Sequence, residues 1–126
     1  MRNHPRKIML LSTLIGLAFW VTSLSAHHGW DWAEDEQTEM RGVITEIYIG
    51  PPHPRLRMET EDGNWRVDLG NPRRTEEAGF VEGEAEEGDE VLIRGHRSRD
   101  DENVMKAVRA TINDEHYTFY PERLED

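Results

Sequence analysis

Hydrophobic and polar residues alternate along much of the chain from position 41 onward, as they do in β-strands with one buried face. In the first such segment, residues 41–49, Val43 and Ile47 lie on one side of the alternation and Ile44 lies on the other. This pattern predicts a first strand that is buried on one face and partly buried on the other.

The next segment, "PRLRMETEDGNWRVDLG", predicts a β-hairpin. Apolar residues such as Leu56 and Val67 alternate with charged ones on either side of Asp62-Gly63, a dipeptide that favours a tight turn between strands. The two strands therefore share one apolar face.

A short helix is predicted after the hairpin, because Asn71 can cap its amino end, Pro72 suits its first position and Gly79 can end it. Three more alternating segments follow, in "VLIRGHRSR", "VMKAVRATI" and "HYTFY". This order predicts an all-β fold, a small Greek-key barrel of five to six antiparallel strands with one short helix, similar to the oligonucleotide/oligosaccharide-binding (OB) type.

A small β-sandwich has the same periodicity, so the pattern leaves that alternative open. For the barrel, the core is predicted from the inward positions of each strand. These residues are Val43, Ile47, Leu56, Met58, Trp65, Val67, Leu69, Val91, Ile93, Val108 and Phe119.

The first 26 residues have the layout of a secretory signal peptide. Residues 1–7 carry three positive charges, residues 8–21 form an apolar run, and small and polar residues follow. A spanning helix needs about 20 apolar residues, so cleavage is favoured over an uncleaved anchor. We predict a signal peptide over 1–26, one domain over 27–126, and a periplasmic or secreted bacterial protein with no membrane span after cleavage.

Two cleavage positions fit the small residues at the end of the leader. Cleavage after Ala26 makes His27 the first residue, and cleavage after Ser25 makes Ala26 the first. The first is favoured, because alanine is the commoner residue before the cut.

Acidic residues dominate the charge of the predicted domain. Once the three basic residues of the leader are removed, twelve basic residues face 26 acidic ones, a net charge of −14. Binding to nucleic acid requires a basic stripe that neutralises phosphates, so this surface predicts no nucleic-acid partner. The chain has no cysteine, which excludes disulfides and a lipid-anchored cysteine.

Five short motifs together resemble an uncharacterised family of small exported bacterial proteins. They are "AHHGW", "RGVITEIYIG", "PPHPRLRME", "NWRVDLGNP" and "EGDEVLIRGHRSRD". In that family the mature chain typically opens with Ala-His-His-Ser-Phe, and Asn-Pro-His follows the first strand. Here Gly29-Trp30 replaces Ser-Phe and Pro51 replaces the asparagine. The resemblance implies an exported β-barrel and no settled activity.

Three histidines are the candidate metal ligands, namely His27, His28 and His53. His53 stands in "PPHP", where the flanking prolines restrict the backbone and present the imidazole on a stiff loop. His96 and His116 lie in predicted strands, where a structural role is the expectation. The competing interpretation is that His27 and His28 belong to a frayed terminus and that His53 bonds locally.

Cleavage creates a free α-amine beside the paired histidines. If His27 is first, its amine and ring nitrogen can chelate one ion, and a second histidine completes a set of three nitrogens. If Ala26 is first, the amine, two backbone amides and the imidazole of His28 form a square-planar set. Both geometries suit copper, and the second also suits Ni(II).

The segment after the cut is long enough to reach His53. Residues 27–39 span at most about 43–47 Å, whereas the first strand measures about 33 Å. The segment can therefore lie back along that strand. Trp30 and Trp32 are expected to fix it to the barrel.

Signs of catalysis are few. The chain has no nucleophile-elbow serine and no glycine-rich phosphate loop. We therefore predict no enzyme, with copper-dependent oxidation as the remaining catalytic alternative. Two functions stay open: a periplasmic copper-binding protein, and a metal-free OB-type interaction module of the cell envelope that binds a protein, glycan or small ligand.

Overall fold

Six β-strands, one short α-helix and one 3-10 turn make up residues 29–126, the part of the chain that the computed structural model describes. The predicted signal peptide, His27 and His28 lie outside these residues. The elements are β1 (Thr38–Tyr48), β2 (Arg55–Thr60), β3 (Gly63–Asp68), α1 (Pro72–Glu77), β4 (Glu90–Arg97), β5 (Val104–Ile112), β6 (Glu115–Thr118) and the 3-10 turn (Pro121–Arg123).

The strands form one sheet in the order β3-β2-β1-β4-β5-β6. A further pairing joins β3 to β5 and closes the first five strands into a barrel, while β6 extends the sheet beyond β5. The predicted OB-like barrel is confirmed. Every neighbouring pair is antiparallel except β3 and β5, which run parallel because closure places the end of one beside the start of the other.

The predicted inward face of β1 is wrong at Val43, which is 41% exposed. Met40 and Ile44 point into the core instead. The pairing with β2 shifts register between Ile44 and Glu46, and such a bulge reverses the side to which later residues point. Ile47 therefore turns back towards the core and packs against it, although its side chain is only half-buried.

The other nine predicted core residues are buried. Their strands also form as expected. The β2–β3 hairpin turns at Glu61-Asp62, one residue earlier than the predicted Asp62-Gly63, and Gly63 opens β3 with a φ of 98° that favours glycine. Residues that the pattern did not single out complete the core, and those that are fully buried include Phe80, Met105 and Ile112.

The predicted helix is confirmed together with its caps. The side chain of Asn71 accepts a hydrogen bond from the Arg74 amide at 2.8 Å, and Pro72 occupies the first turn. Gly79 follows the helix with a φ of 86°. Among residues 29–126, no helix combines the length and apolar character that crossing a membrane requires.

Candidate functional site

His53 lies in the loop between β1 and β2, and its side chain is exposed. Hydrogen bonds hold the loop at both ends. The Tyr48 hydroxyl donates to the Pro51 carbonyl, and the Leu69 amide donates to the Pro54 carbonyl at 3.0 Å. Because Pro54 is also buried, the imidazole stands on a fixed part of the barrel.

Closure of the barrel brings Gly29, the first described residue, to the side of the barrel that carries the His53 loop. Arg55, two residues after His53, pairs with Asp68, and Asp68 pairs with Lys106. Two strand spacings of ~4.8 Å place the backbones of Arg55 and Lys106 about 10 Å apart. The Lys106 ammonium donates to the Gly29 carbonyl at 2.9 Å.

The amino-terminal segment, residues 29–37, does not run back along β1 as the sequence suggested. Ala33 forms a β-bridge with Ser98, and the Glu34 amide donates to the Arg97 carbonyl at 2.7 Å. The segment therefore extends beside the end of β4. It reaches the side of the His53 loop around the outside of the barrel, through the contact between Gly29 and Lys106.

Trp30 fixes the amino-terminal segment, as predicted. Its ring meets the rings of His96 and Tyr120 edge to face, at centroid distances of 5.3 and 4.8 Å. The Arg123 guanidinium and the Lys106 ammonium lie over the same indole, 4.1 and 4.7 Å from its centroid. Gly29 directly precedes Trp30 in the chain. The aromatic and cationic contacts of the Trp30 side chain therefore also fix the position of Gly29.

Burial and nearby charges determine the electrostatics around Lys106, the residue that contacts Gly29. Burial lowers the pKa of Lys106, and the nearby charges of Arg123 and Arg74 act in the same direction, whereas Asp68 opposes them. Burial also raises the pKa of Tyr120. A metal cation held nearby would meet this positive charge, so strong nitrogen ligands would have to supply its affinity.

The other two described histidines are engaged in the structure. His96 is buried, with Nδ1 at 2.9 Å from the Glu34 carbonyl oxygen. His116 is exposed and its Nδ1 lies 2.8 Å from the Thr111 hydroxyl. Both arrangements agree with the structural role expected for these residues.

A complete metal site does not form within residues 29–126, where no three histidine, cysteine or acidic side chains are grouped to hold an ion. His53 offers one exposed imidazole there. A three-nitrogen copper site therefore needs ligands from outside this range, and His27 and His28 have the required chemistry. The residues fit copper only as a set that combines His53 with the two histidines directly after the predicted cut.

A cavity of about 590 Å³ lies between the amino-terminal segment and the end of the chain, and no sequence motif pointed to it. Trp30 and His96 form part of its wall, and Arg123 and Leu124 form another part. Gln37, which bonds to both His96 and the Arg123 carbonyl, was also not singled out. These two contacts of Gln37 join residues 59 and 86 positions apart, so no local pattern reveals them.

Comparisons with known proteins add little to this description. The chain matches no protein-family model, and no curated protein matches it. Among solved structures, the ZRD-deleted mutant of TiaS in complex with agmatine is 20% identical with a TM-score of 0.48, covering 61% of this chain and 21% of that chain. Apo TiaS, a tRNAIle2 agmatidine synthetase, is 18% identical with a TM-score of 0.47, covering 61% and 18%.

The mitochondrial single-stranded DNA-binding protein Rim1 from S. cerevisiae is 10% identical with a TM-score of 0.47, covering 62% of this chain and 93% of that chain. This chain spans about a fifth of the length of the TiaS chains. At these levels of similarity, the OB-like fold rests on the strand order and barrel closure described above.

Proposed function

We propose that this chain is an exported bacterial protein, periplasmic or secreted, that binds copper through His27, His28 and His53 after its signal peptide is removed. The resemblance to a family of small exported proteins supports export, as does the tripartite leader. The observation that carries the metal site is the position of Gly29. It is linked to the His53 loop through Lys106, Asp68 and Arg55.

The strand pairings limit the separation between the His53 loop and Lys106, the residue that contacts Gly29. The backbones of Arg55 and Lys106 are about 10 Å apart, and the two residues from Arg55 back to His53 add at most about 7 Å. The Lys106 side chain and its hydrogen bond to the Gly29 carbonyl add a further separation. Residues 27 and 28 directly precede Gly29, and their amine and imidazoles would have to reach across it. Copper bound by these nitrogens would be carried or buffered, and His53 would hold it against the barrel.

The two candidate cuts predict different ligand sets. With His27 first, the terminal amine and the His27 imidazole chelate the ion, and His53 supplies a third nitrogen. With Ala26 first, the amine, two backbone amides and His28 surround the ion in a plane, and His53 has a weaker role. The mature amino terminus therefore decides how much His53 contributes.

Isolation of the native protein from the bacterial envelope tests this proposal directly. Intact mass should identify a chain that begins at His27 or Ala26, and metal analysis should find copper near one equivalent. A full-length mass that stays in the membrane after a salt wash would contradict export. A mature chain that gains no copper when titrated with the metal would contradict the site.

The second candidate function is a metal-free OB-type interaction module, and the outer face of the β2–β3 hairpin favours it. Arg57 lies opposite Arg66, an arrangement of like charges that is unfavourable unless other groups offset it. Glu46 lies 3.5 Å from Arg57, and Asp68 lies 3.1 Å from Arg66. A ligand with carboxylates could replace these partners, and this function becomes the better account if the mature protein binds no copper.

A further inference from the structure

One glutamine connects the buried histidine to the end of the chain. The Gln37 side-chain nitrogen lies 2.9 Å from the Arg123 carbonyl oxygen and 3.3 Å from Nε2 of His96. The Gln37 side-chain oxygen accepts from the Glu125 amide at 3.2 Å. The two backbone partners settle which end of the amide is nitrogen, because a carbonyl only accepts and an amide N–H only donates.

This orientation determines the protonation of His96. Its Nδ1 lies 2.9 Å from the Glu34 carbonyl oxygen and must donate. Its Nε2 faces the donating nitrogen of Gln37 and must accept. The network is therefore complete with a neutral imidazole, on a residue that is only 6% exposed.

We propose that His96 is a pH-sensitive latch that holds the carboxyl-terminal tail, residues 123–126, against the amino-terminal segment. Protonation places an N–H on Nε2 that faces the N–H groups of Gln37. Rotating the Gln37 amide would satisfy the imidazolium, but it would set oxygen against the Arg123 carbonyl and nitrogen against the Glu125 amide. Both bonds that Gln37 makes to the tail are then lost, and leaving the part-buried Arg123 carbonyl unpaired is costly.

Charged groups of both signs surround His96. Those that line the same cavity or share its contacts are Asp31, Glu34, Asp35, Glu122 and Glu125 on the acidic side, and Arg99, Lys106 and Arg123 on the basic side. The docked tail requires the neutral ring, so docking is strongest at neutral pH and weakens as the pH falls.

Release begins beyond Leu124, because the Arg123 and Leu124 amides donate to the Tyr120 and Pro121 carbonyls at 3.0 and 3.3 Å. The remaining tail contact, from the Arg94 guanidinium to the Glu125 carbonyl, is exposed to solvent. Glu122 lies 3.0 Å from the Arg74 guanidinium, and this ion pair does not involve His96. The freed tail would withdraw Glu125 from the lining of the 590 Å³ cavity. Acidification would thereby open the cavity between the two ends of the chain.

Nuclear magnetic resonance relaxation on the metal-free mature protein tests the latch separately from any copper site. At pH 7.5 the backbone amide of Glu125 should show an order parameter near ~0.85, typical of rigid backbone, and at pH 5 it should fall below ~0.6. The pH at the midpoint of this fall in the order parameter should coincide with the pH at which the chemical shifts of the His96 ring protons change. A tail that stays rigid at pH 5, or a midpoint that follows His53 or His116, would overturn the proposal.

Two variants sharpen the test. His96→Gln offers a donor and an acceptor without titrating, so its tail should keep the same order parameter at both pH values. His116→Gln is the matched control and should keep the wild-type response. Should the tail of His96→Gln loosen with falling pH as it does in wild type, the latch is wrong. If the His96→Gln variant does not dock the tail at either pH, the wild-type protein decides the question. The latch is then accepted only if the pH midpoint of tail release follows the His96 ring protons, and is rejected otherwise.

Discussion

Replacing Trp65 with alanine is expected to lower the free energy of unfolding by about 3–5 kcal/mol, the range for truncating a buried tryptophan. Trp65 is 7% exposed and belongs to the core cluster. It pairs with Met58 across the hairpin, and the Arg97 guanidinium lies 5.4 Å from its ring centroid. Truncation leaves a void between β2 and β3 and removes the surface that Arg97 covers.

Urea unfolding followed by circular dichroism measures this loss. Trp32→Ala is the matched control, because Trp32 is a half-buried tryptophan of the amino-terminal segment that lies outside the core cluster. Its replacement should cost markedly less. A loss below about 1 kcal/mol for Trp65→Ala, well under the range for a buried tryptophan, would show that the ring contributes little to the core and that the barrel is packed differently.

Replacing His53 with alanine is expected to weaken copper binding at least tenfold if His27 is the first residue of the mature chain. A tenfold change in affinity is about 1.4 kcal/mol, a modest value for one of three nitrogen ligands. His53 is exposed, so the substitution should leave stability unchanged. Competition titration against a chelator of known copper affinity gives the change.

His116→Ala is the control for this measurement, since His116 is also exposed but bonds to Thr111 on the edge of the sheet. Its copper affinity should equal that of the wild type. Equal losses in both variants would indicate nonspecific binding to surface imidazoles. No loss in His53→Ala, with His27 established as the first residue, would remove His53 from the site.

Local signals explain which parts of the fold could be predicted. The hairpin depends on Asp62-Gly63, and the helix depends on Asn71, Pro72 and Gly79, all of which act within a few residues. The residues of β1 that face the core could not be predicted, because both sides of this strand carry apolar residues. The register shift after Ile44 also arises only from pairing with β2. A bulge has no reliable mark in a single sequence.

The candidate site was predictable only in its ligand types. The paired histidines at the cut and the proline-flanked His53 are visible as sequence motifs. The proximity that we propose for them depends on the parallel pairing of β3 with β5, which brings Lys106 beside Asp68. That contact closes the barrel over a long sequence separation, so the sequence suggested a path along β1 that the structure does not follow. The anchoring of Trp30 by Arg123 depends on the same long-range packing.

Electron paramagnetic resonance of the Cu(II)-loaded mature protein tests the central claim most directly, when compared with a form that carries one extra residue ahead of its first residue. The mature protein should bind about one equivalent and show nitrogen coupling, and the added residue should change the spectrum because it displaces the terminal amine from the site. An unchanged spectrum and affinity, both in the extended protein and in His53→Ala, would contradict the copper site and leave the metal-free interaction module.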